Sequence, residues 1–179
     1  MRIHWTWALS LPLWIACQNP EAEAEALIEA MQSDTSDLAD ATMQDTSGWR
    51  ETYAVFEAAA ESVESDSLWA RYRLIAGDVQ SQVPGGALFA IQTYLEVADS
   101  LRQRKEGALA LFSVAVTFDE KLGDRSRAVQ ALSMLMDRYP GTQMAETARS
   151  YRDVLLFEND ESLLDKIHSW QTNEEPQEP

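Results

Sequence analysis

Apolar residues recur along this chain in two alternating patterns, and this recurrence limits its fold more than any other feature. The first pattern has spacings of +3, +4 and +7; it begins at Tyr72, returns at Leu111 and appears a third time, after a somewhat shorter interval, at Met144. The second has spacings of +4 and +7 and begins at Ala90 and again at Ala128. Both patterns place their residues on one face of an α-helix. They predict two kinds of amphipathic helix that alternate along the chain at a nearly constant interval.

Proline, glycine and capping residues separate these helices. Pro140 lacks an N–H and clashes with the preceding turn, so a helix cannot run through it, while Gly141 lets the chain reverse and Thr142 can cap the next helix. Pro84-Gly85-Gly86 and Gly123-Asp124 are stops of the same kind. We expect eight helices, which begin near Pro20, Trp49, Ser65, Gly86, Lys105, Asp124, Thr142 and Asp160.

Composition supports an all-α fold and excludes one class of partner. The chain of 179 residues has only seven Gly and six Pro, and Leu, Ala and Met are plentiful, which favours helix over sheet. Its 30 acidic residues against 14 basic ones give a net charge of −16. Such a surface repels phosphate backbones, so we expect no nucleic-acid partner. It is also not attracted to anionic lipid; the simplest role of the acidity is solubility.

The amino terminus has the composition of a signal peptide. Residues 1–16 hold one Arg and a run of roughly twelve apolar residues, too few to cross a bilayer about 30 Å thick. The run ends at Cys17, the only cysteine, so an internal disulfide is excluded. Trp14-Ile15-Ala16-Cys17 resembles the lipobox of bacterial lipoproteins, with Trp14 in place of the usual Leu. The resemblance implies cleavage before Cys17 and attachment of lipid chains to it.

The same resemblance implies a location. In Gram-negative lipoproteins an Asp after the modified Cys tends to retain the protein at the inner membrane; Gln18 therefore implies the periplasmic face of the outer membrane. Two or three acyl chains would hold the protein durably, and the membrane would be reached through this lipid only. The alternatives are a secreted or soluble periplasmic protein, or a free thiol in a discarded peptide.

The rest of the chain divides into three parts. Residues 17–48 are expected to form an acidic tether with one weak helix, whose acidic residues are solvated and do not bind metal. Residues 49–170 are expected to form the helical domain. Residues 171–179 are polar, charged and Pro-containing, so we expect disorder. The apolar stripe expected on the weak helix comprises Ala26, Leu27, Ala30 and Met31.

One unit of the helical domain, LFSVAVTFDEKLGDRSRAVQALSMLMDRYP, resembles the tetratricopeptide repeat family. Ala115 stands at the small position of its first helix, Ala128 at the Ala position of its second, and Tyr139-Pro140 closes it. The resemblance covers about residues 49–157, although no unit shows the usual Gly at the small position. It implies stacked antiparallel helical hairpins, an α-solenoid, with a capping helix at 161–170. Asp124 four residues before Ala128, with the Tyr-Pro pair, is similar to the repeat lipoproteins of bacterial envelopes, including the outer-membrane assembly type.

Residues that carry catalysis are scarce. After cleavage His168 is the only histidine, and without a second His or Cys we expect no zinc site and no Cys–His nucleophile pair. No Gly-rich phosphate loop and no nucleophile-elbow motif occurs. Asp119 and Glu120 are adjacent, so on a helix they diverge. We expect a protein that is not an enzyme and needs no cofactor and no metal.

The function that the resemblance implies is a lipid-anchored scaffold or adaptor that binds protein partners in the cell envelope. An alternative is a structural subunit of an envelope assembly complex that uses no peptide groove; another is a periplasmic enzyme of unrecognised type. Arg149 and Arg152 share one helical face and could hold a partner's carboxylate, or pair with Glu146 and Asp153 instead. The groove positions of the family correspond here to Arg73, Phe112, Val116, Asp119, Arg149 and Arg152.

Overall fold

The computed structural model describes residues 19–33 and 48–157, and over these ranges the protein is all helical, with no strand. The expected signal peptide, Cys17, the eighth helix and the tail lie outside the described residues. The helices are α1 (Pro20–Ser33), α2 (Gly48–Ser62), α3 (Asp66–Gln82), α4 (Ala87–Ser100), α5 (Lys105–Val116), α6 (Arg125–Arg138) and α7 (Gln143–Phe157), and a π-helical turn (Thr117–Lys121) extends α5.

The helix boundaries follow the capping and breaking residues of the sequence. Ser65 accepts from the N–H of Leu68 at 3.5 Å, and Asp124 caps α6 by accepting from the N–H of Arg127 at 3.0 Å. The hydroxyl of Thr142 accepts from the N–H of Ala145 at 3.2 Å at the start of α7. These bonds satisfy N–H groups that have no partner within the helix, which confirms the expected starts.

Each helix packs on the next one along the chain. From α2 to α7, the connections between consecutive helices are short. Helices that are not consecutive also pack on each other: α3 contacts α5, and α5 contacts α7. Buried positions in these three helices recur at one regular interval. One evenly spaced set is Tyr72, Ala110 and Ala148; another is Val79, Thr117 and Leu155.

The buried residues form two clusters that meet on α3. The carboxyl-terminal cluster combines α4 to α7 with one face of α3, and its largest fully buried side chains include Tyr94, Leu111 and Leu132. The amino-terminal cluster combines α1 and α2 with the opposite face of α3. Its buried members are Ala24, Ile28, Phe56, Ala59, Ala60, Tyr72, Ala76 and Val79.

Helix α1 begins at Pro20 as expected, but it buries only part of the expected stripe. Ala24 and Ile28 are buried against α2 and α3, and Leu27 is partly buried against the same cluster, whereas Ala26, Ala30 and Met31 are exposed. The carboxylate of Glu25, next to Ala24, accepts from the hydroxyl of Tyr72 at 2.7 Å. Because alanine occurs on several sides of this helix, the apolar pattern alone did not identify the docked side.

The register of α3 differs by one residue from the expected one. The sequence pattern aligned Ala76 with Ala115, but Gly77 is the residue that meets the following helix. A Cβ on Gly77 would lie 2.4 Å from Cε1 of Tyr94, so only glycine fits under this ring. Gly77 precedes Ala115, and Tyr94 precedes Leu132, by the same number of residues. This is the interval that also separates Tyr72 from Ala110. A glycine therefore stands at the position equivalent to the buried Ala115.

Helix α5 is covered on most of its circumference, as its composition predicted. Gly107, Ala108, Ala110, Leu111, Val114 and Ala115 are all buried. The exception is Leu109, whose side chain is 43% exposed. This exposed strip of an otherwise enclosed helix lies beside α7 and forms part of the candidate site.

Candidate functional site

A cleft of about 630 Å³ lies between α5 and α7, near the start of both helices. Its apolar lining comes from Ala108, Leu109 and Phe112 of α5 and from Met144 of α7. Tyr139, in the connection between α6 and α7, also lines it. A cleft with mostly apolar walls can take up apolar side chains of a partner.

Polar groups surround these apolar walls, and their charge is of one sign. Arg104 and Lys105 line the cleft at the start of α5, and no Asp or Glu is among the lining residues. The uncharged lining residues that can form hydrogen bonds are Gln103, Thr142, Gln143 and Thr147. Both charged side chains that line the cleft are therefore cationic, in a chain whose net charge is −16.

An ion pair and a hydrogen bond connect the start of α5 to the start of α3. Arg104 pairs with Asp66 at 2.9 Å, and both side chains are more than half exposed. Ser67 donates its hydroxyl to Glu106, and this hydrogen bond lowers the pKa of the Glu106 carboxyl. Lys105 forms no ion pair with the described residues. Its ammonium group is thus available to a carboxylate at the cleft.

Gly107 permits a close approach at the base of the cleft. A Cβ at this position would lie 2.3 Å from the carbonyl oxygen of Leu101 and 2.4 Å from the hydroxyl of Tyr139. A side chain here would push the α4–α5 connection and Tyr139 away from α5. Burial raises the pKa of the Tyr139 hydroxyl, so this group stays neutral at the base of the cleft.

Tyr151 joins two of the expected site residues, Phe112 and Asp119. Its ring lies 5.9 Å from that of Phe112, measured between centroids, in a tilted arrangement. Its hydroxyl donates to Asp119 at 2.6 Å, in the π-helical turn. These contacts fix the ring of Phe112 on the cleft side of α5. Val116, one turn after Phe112, is half-buried and does not line the cleft.

The expected arginines do not meet at the cleft. Arg149 pairs with Glu146 at 3.0 Å, and Arg152 pairs with Asp153 at 3.2 Å. Both arginines thus pair with acidic residues of their own helix, and their binding of a partner's carboxylate stays a prediction.

Arg73 lies away from the cleft, between α2 and α4. Its guanidinium donates to Glu57 and to Glu96, and its side chain is only 13% exposed. Burial by itself lowers the pKa of this guanidinium, but the two carboxylates raise it by more. The pKa of Arg73 therefore lies above its ordinary value. Arg73 joins two helices and is not open to a partner.

The sequence reasoning missed Leu109, Arg104, Lys105 and Met144 as cleft residues. One signal was present: Arg102, Arg104 and Lys105 are three cations close together in an acid-rich chain. The apolar part had no such signal, because Leu109 looks like another core residue of a helix that is apolar nearly all round.

The described part of the chain contains neither a metal-binding cluster nor a helix that could cross a membrane. No group of three or more His, Cys, Asp or Glu residues is placed to hold a metal ion among residues 19–33 and 48–157. None of the helices in these ranges is long and apolar enough to cross a membrane. In comparisons with known proteins, no family model, no curated protein and no solved structure matches the chain.

Proposed function

We propose that the protein is a helical-repeat binding module that holds a segment of a protein partner in the cleft between α5 and α7. The observation that carries this proposal is the combination of an exposed apolar wall at Leu109 with a cationic rim and no lining carboxylate. Leu109 lies with the half-buried Phe112 and Met144 in one apolar wall, and an apolar surface rimmed by polar residues is typical of a contact with another protein. The module recognises its partner and carries out no reaction.

The arrangement that we propose is a tetratricopeptide-like stack of antiparallel hairpins. Short connections between helices that pack on each other require the chain to reverse. The regular recurrence of buried positions and the contacts of α3 with α5 and of α5 with α7 support hairpins stacked in one direction. In such a stack the first helices of successive hairpins line one surface, where the cleft lies.

The proposal also includes a lipid anchor at Cys17, on the periplasmic face of the outer membrane. It rests on the lipobox-like Trp14-Ile15-Ala16-Cys17 that ends the apolar run. Cys17→Ser should abolish labelling by a fatty-acid analogue and release the protein to the soluble fraction. If the unaltered protein takes up no label, the anchor is wrong, while the binding module is unaffected.

The binding module is tested by photocrosslinking in cells. The photoreactive residue p-benzoylphenylalanine replaces Leu109 in one strain and Phe89 in another. Phe89, on α4, is a matched control because it is 64% exposed and is not a cleft residue. We expect a protein adduct from position 109 and none from position 89, with the adduct identified by mass spectrometry. Adducts from neither position would overturn the proposal.

A second candidate, an assembly subunit without a peptide groove, is favoured by Leu88 and Phe89. These neighbours at the start of α4 are 61% and 64% exposed, and the sequence carries no charged residue from Val79 to Leu95. A contiguous exposed apolar patch often marks a contact with another protein. An adduct from position 89 alone would favour this candidate over the cleft.

A further inference from the structure

We infer that the chain's own carboxyl-terminal segment, residues 161–178, occupies the cleft between α5 and α7 when no partner is bound. The inference rests on the proposed function, because it treats the cleft as the binding site and identifies its resting occupant. Three observations support it: the polar character of one face of α7, the chemistry of the segment, and its length.

The first observation concerns the face of α7 on which a following helix would pack. Gly77 of α3 is the residue that meets the following helix, through Tyr94. Its equivalent on α5 is Ala115, which is also small and buried. The residue one further interval after Ala115 is Asp153 on α7. Glu146, two turns before Asp153 on the same face, is charged and exposed. A following helix therefore meets charged residues over most of this face, and the exposed apolar side chains of α7 are confined to its last turn, at Val154, Leu156 and Phe157.

The second observation is the sequence after α7. Leu163, Leu164, Ile167 and Trp170 have spacings of +1, +4 and +7, which predicts a helix with one apolar face. The nine residues that follow, QTNEEPQEP, contain three Glu and no Lys or Arg. Apolar side chains followed by carboxylates are the complement of apolar cleft walls bordered by Arg104 and Lys105.

The third observation is length. A helix over ten residues, 161–170, is about 15 Å long. If the chain reverses after Phe157, the end of such a helix lies level with the middle of α7, near Thr147, which lines the cleft. The next few residues then reach the start of α5. Trp170 would contact Phe112 and Met144, and Glu174 and Glu175 would approach the cationic rim.

The test uses the purified full chain with p-benzoylphenylalanine in place of Leu109. Trypsin releases residues 106–121, which contain the probe, and residues 167–179, because Lys105, Lys121 and Lys166 precede or end these peptides. We expect an adduct between the two peptides, at the mass of one chain, with a yield independent of protein concentration. The control carries the probe at Leu88, which is outside the cleft and should give no such adduct.

A charge exchange tests the polar half of the contact. Arg104→Glu with Lys105→Glu should lower the adduct yield roughly fivefold, as expected for the loss of two exposed ion pairs. Glu174→Lys with Glu175→Lys in the same chain should restore it. These substitutions move tryptic sites, so the yield is summed over the altered peptides that contain the probe. A yield that is unchanged by the first pair of substitutions would overturn the inference, as would an adduct that rises with concentration, since that would indicate a second copy.

The outcomes separate this inference from the proposed function. If position 109 gives an adduct with another protein in cells but none with residues 167–179 in the purified chain, the inference fails and the binding module stands. If it gives neither adduct, both fail. If both occur, Trp170→Ala should increase the partner adduct in cells several-fold, because the partner then no longer competes with the segment.

Discussion

The two clusters of buried residues differ in the contacts that bring their helices together. In the amino-terminal cluster, polar groups join the helices: Glu25 of α1 accepts from Arg71 at 2.6 Å and from Tyr72 at 2.7 Å, and Arg73 of α3 bridges to Glu57 of α2. The carboxyl-terminal cluster also has polar contacts between its helices, such as Tyr94 to Asp78 and Tyr151 to Asp119, but in addition its helices approach closely at glycine, as at Gly77 under the ring of Tyr94.

This difference indicates how each region should respond to change. A close approach at a small residue tolerates no added atom, because the neighbouring ring is fixed by its own packing. Polar contacts between partly exposed side chains tolerate substitution better, but they depend on pH. The cleft lies in the closely packed region, so its walls are firmly positioned.

The largest expected effects come from removing the centre of each cluster. Leu132→Ala and Phe56→Ala should each lower the free energy of unfolding by about 3 kcal/mol, because both side chains are fully buried. We expect hydrogen exchange in Phe56→Ala to rise in α1 and α2 while α5 and α6 stay protected. Leu132→Ala should raise exchange in α4 to α7. Equal loss of protection throughout the chain in both variants would show that the two clusters form one cooperative unit.

The next effect tests the close approach itself. Gly77→Ala places a Cβ against Tyr94, and the overlap should destabilise the protein by about 2 kcal/mol, although alanine is the better helix former. The double variant Gly77→Ala with Tyr94→Leu reproduces the pair found at the equivalent positions of the next unit, Ala115 and Leu132. Urea unfolding should show that the double variant loses less free energy of unfolding than the two single variants lose together. Strict additivity would contradict the contact.

A smaller effect distinguishes the polar contacts of the amino-terminal cluster. Burial and the hydrogen bond to Glu25 raise the pKa of Tyr72 to about 12, above the ordinary value of 10.0. The stabilisation from this neutral hydroxyl is therefore complete below about pH 10 and is lost as the pH rises toward about 12. Tyr72→Phe should cost about 1 kcal/mol at pH 8 and should flatten the fall in stability between about pH 10 and about pH 12. A fall as steep as in the unaltered protein would contradict this assignment.

Much of the fold could be predicted from the sequence because its signals are local. Ser65, Asp124 and Thr142 cap helices within one turn of their own positions, so no knowledge of distant contacts was needed. The register of α3 required such knowledge. Ala76 and Gly77 are both small, and only the position of Tyr94 decides which of them meets the next helix.

The candidate site was harder to predict because it depends on contacts between helices far apart in sequence. Phe112 was expected and does line the cleft, but Arg73 is drawn between Glu57 and Glu96, which lie on two other helices. The exposure of Leu109 depends on how α7 packs beside α5, and this packing leaves a cleft at Leu109. The π-helical turn that carries Asp119 has no marker in the sequence that we can identify.

The smallest expected effect concerns a contact that belongs to neither cluster. Arg149 and Glu146 pair at 3.0 Å on the surface of α7, and both side chains are more than half exposed. Arg149→Ala should change the free energy of unfolding by less than about 0.5 kcal/mol, in contrast to Arg73→Met, which leaves Glu57 without its buried partner and should cost about 1 to 2 kcal/mol. Urea unfolding at low and high salt compares the two variants. If Arg149→Ala proved as costly as Arg73→Met, that arginine would have a structural contact beyond Glu146, and the polar contacts would not be concentrated around α3.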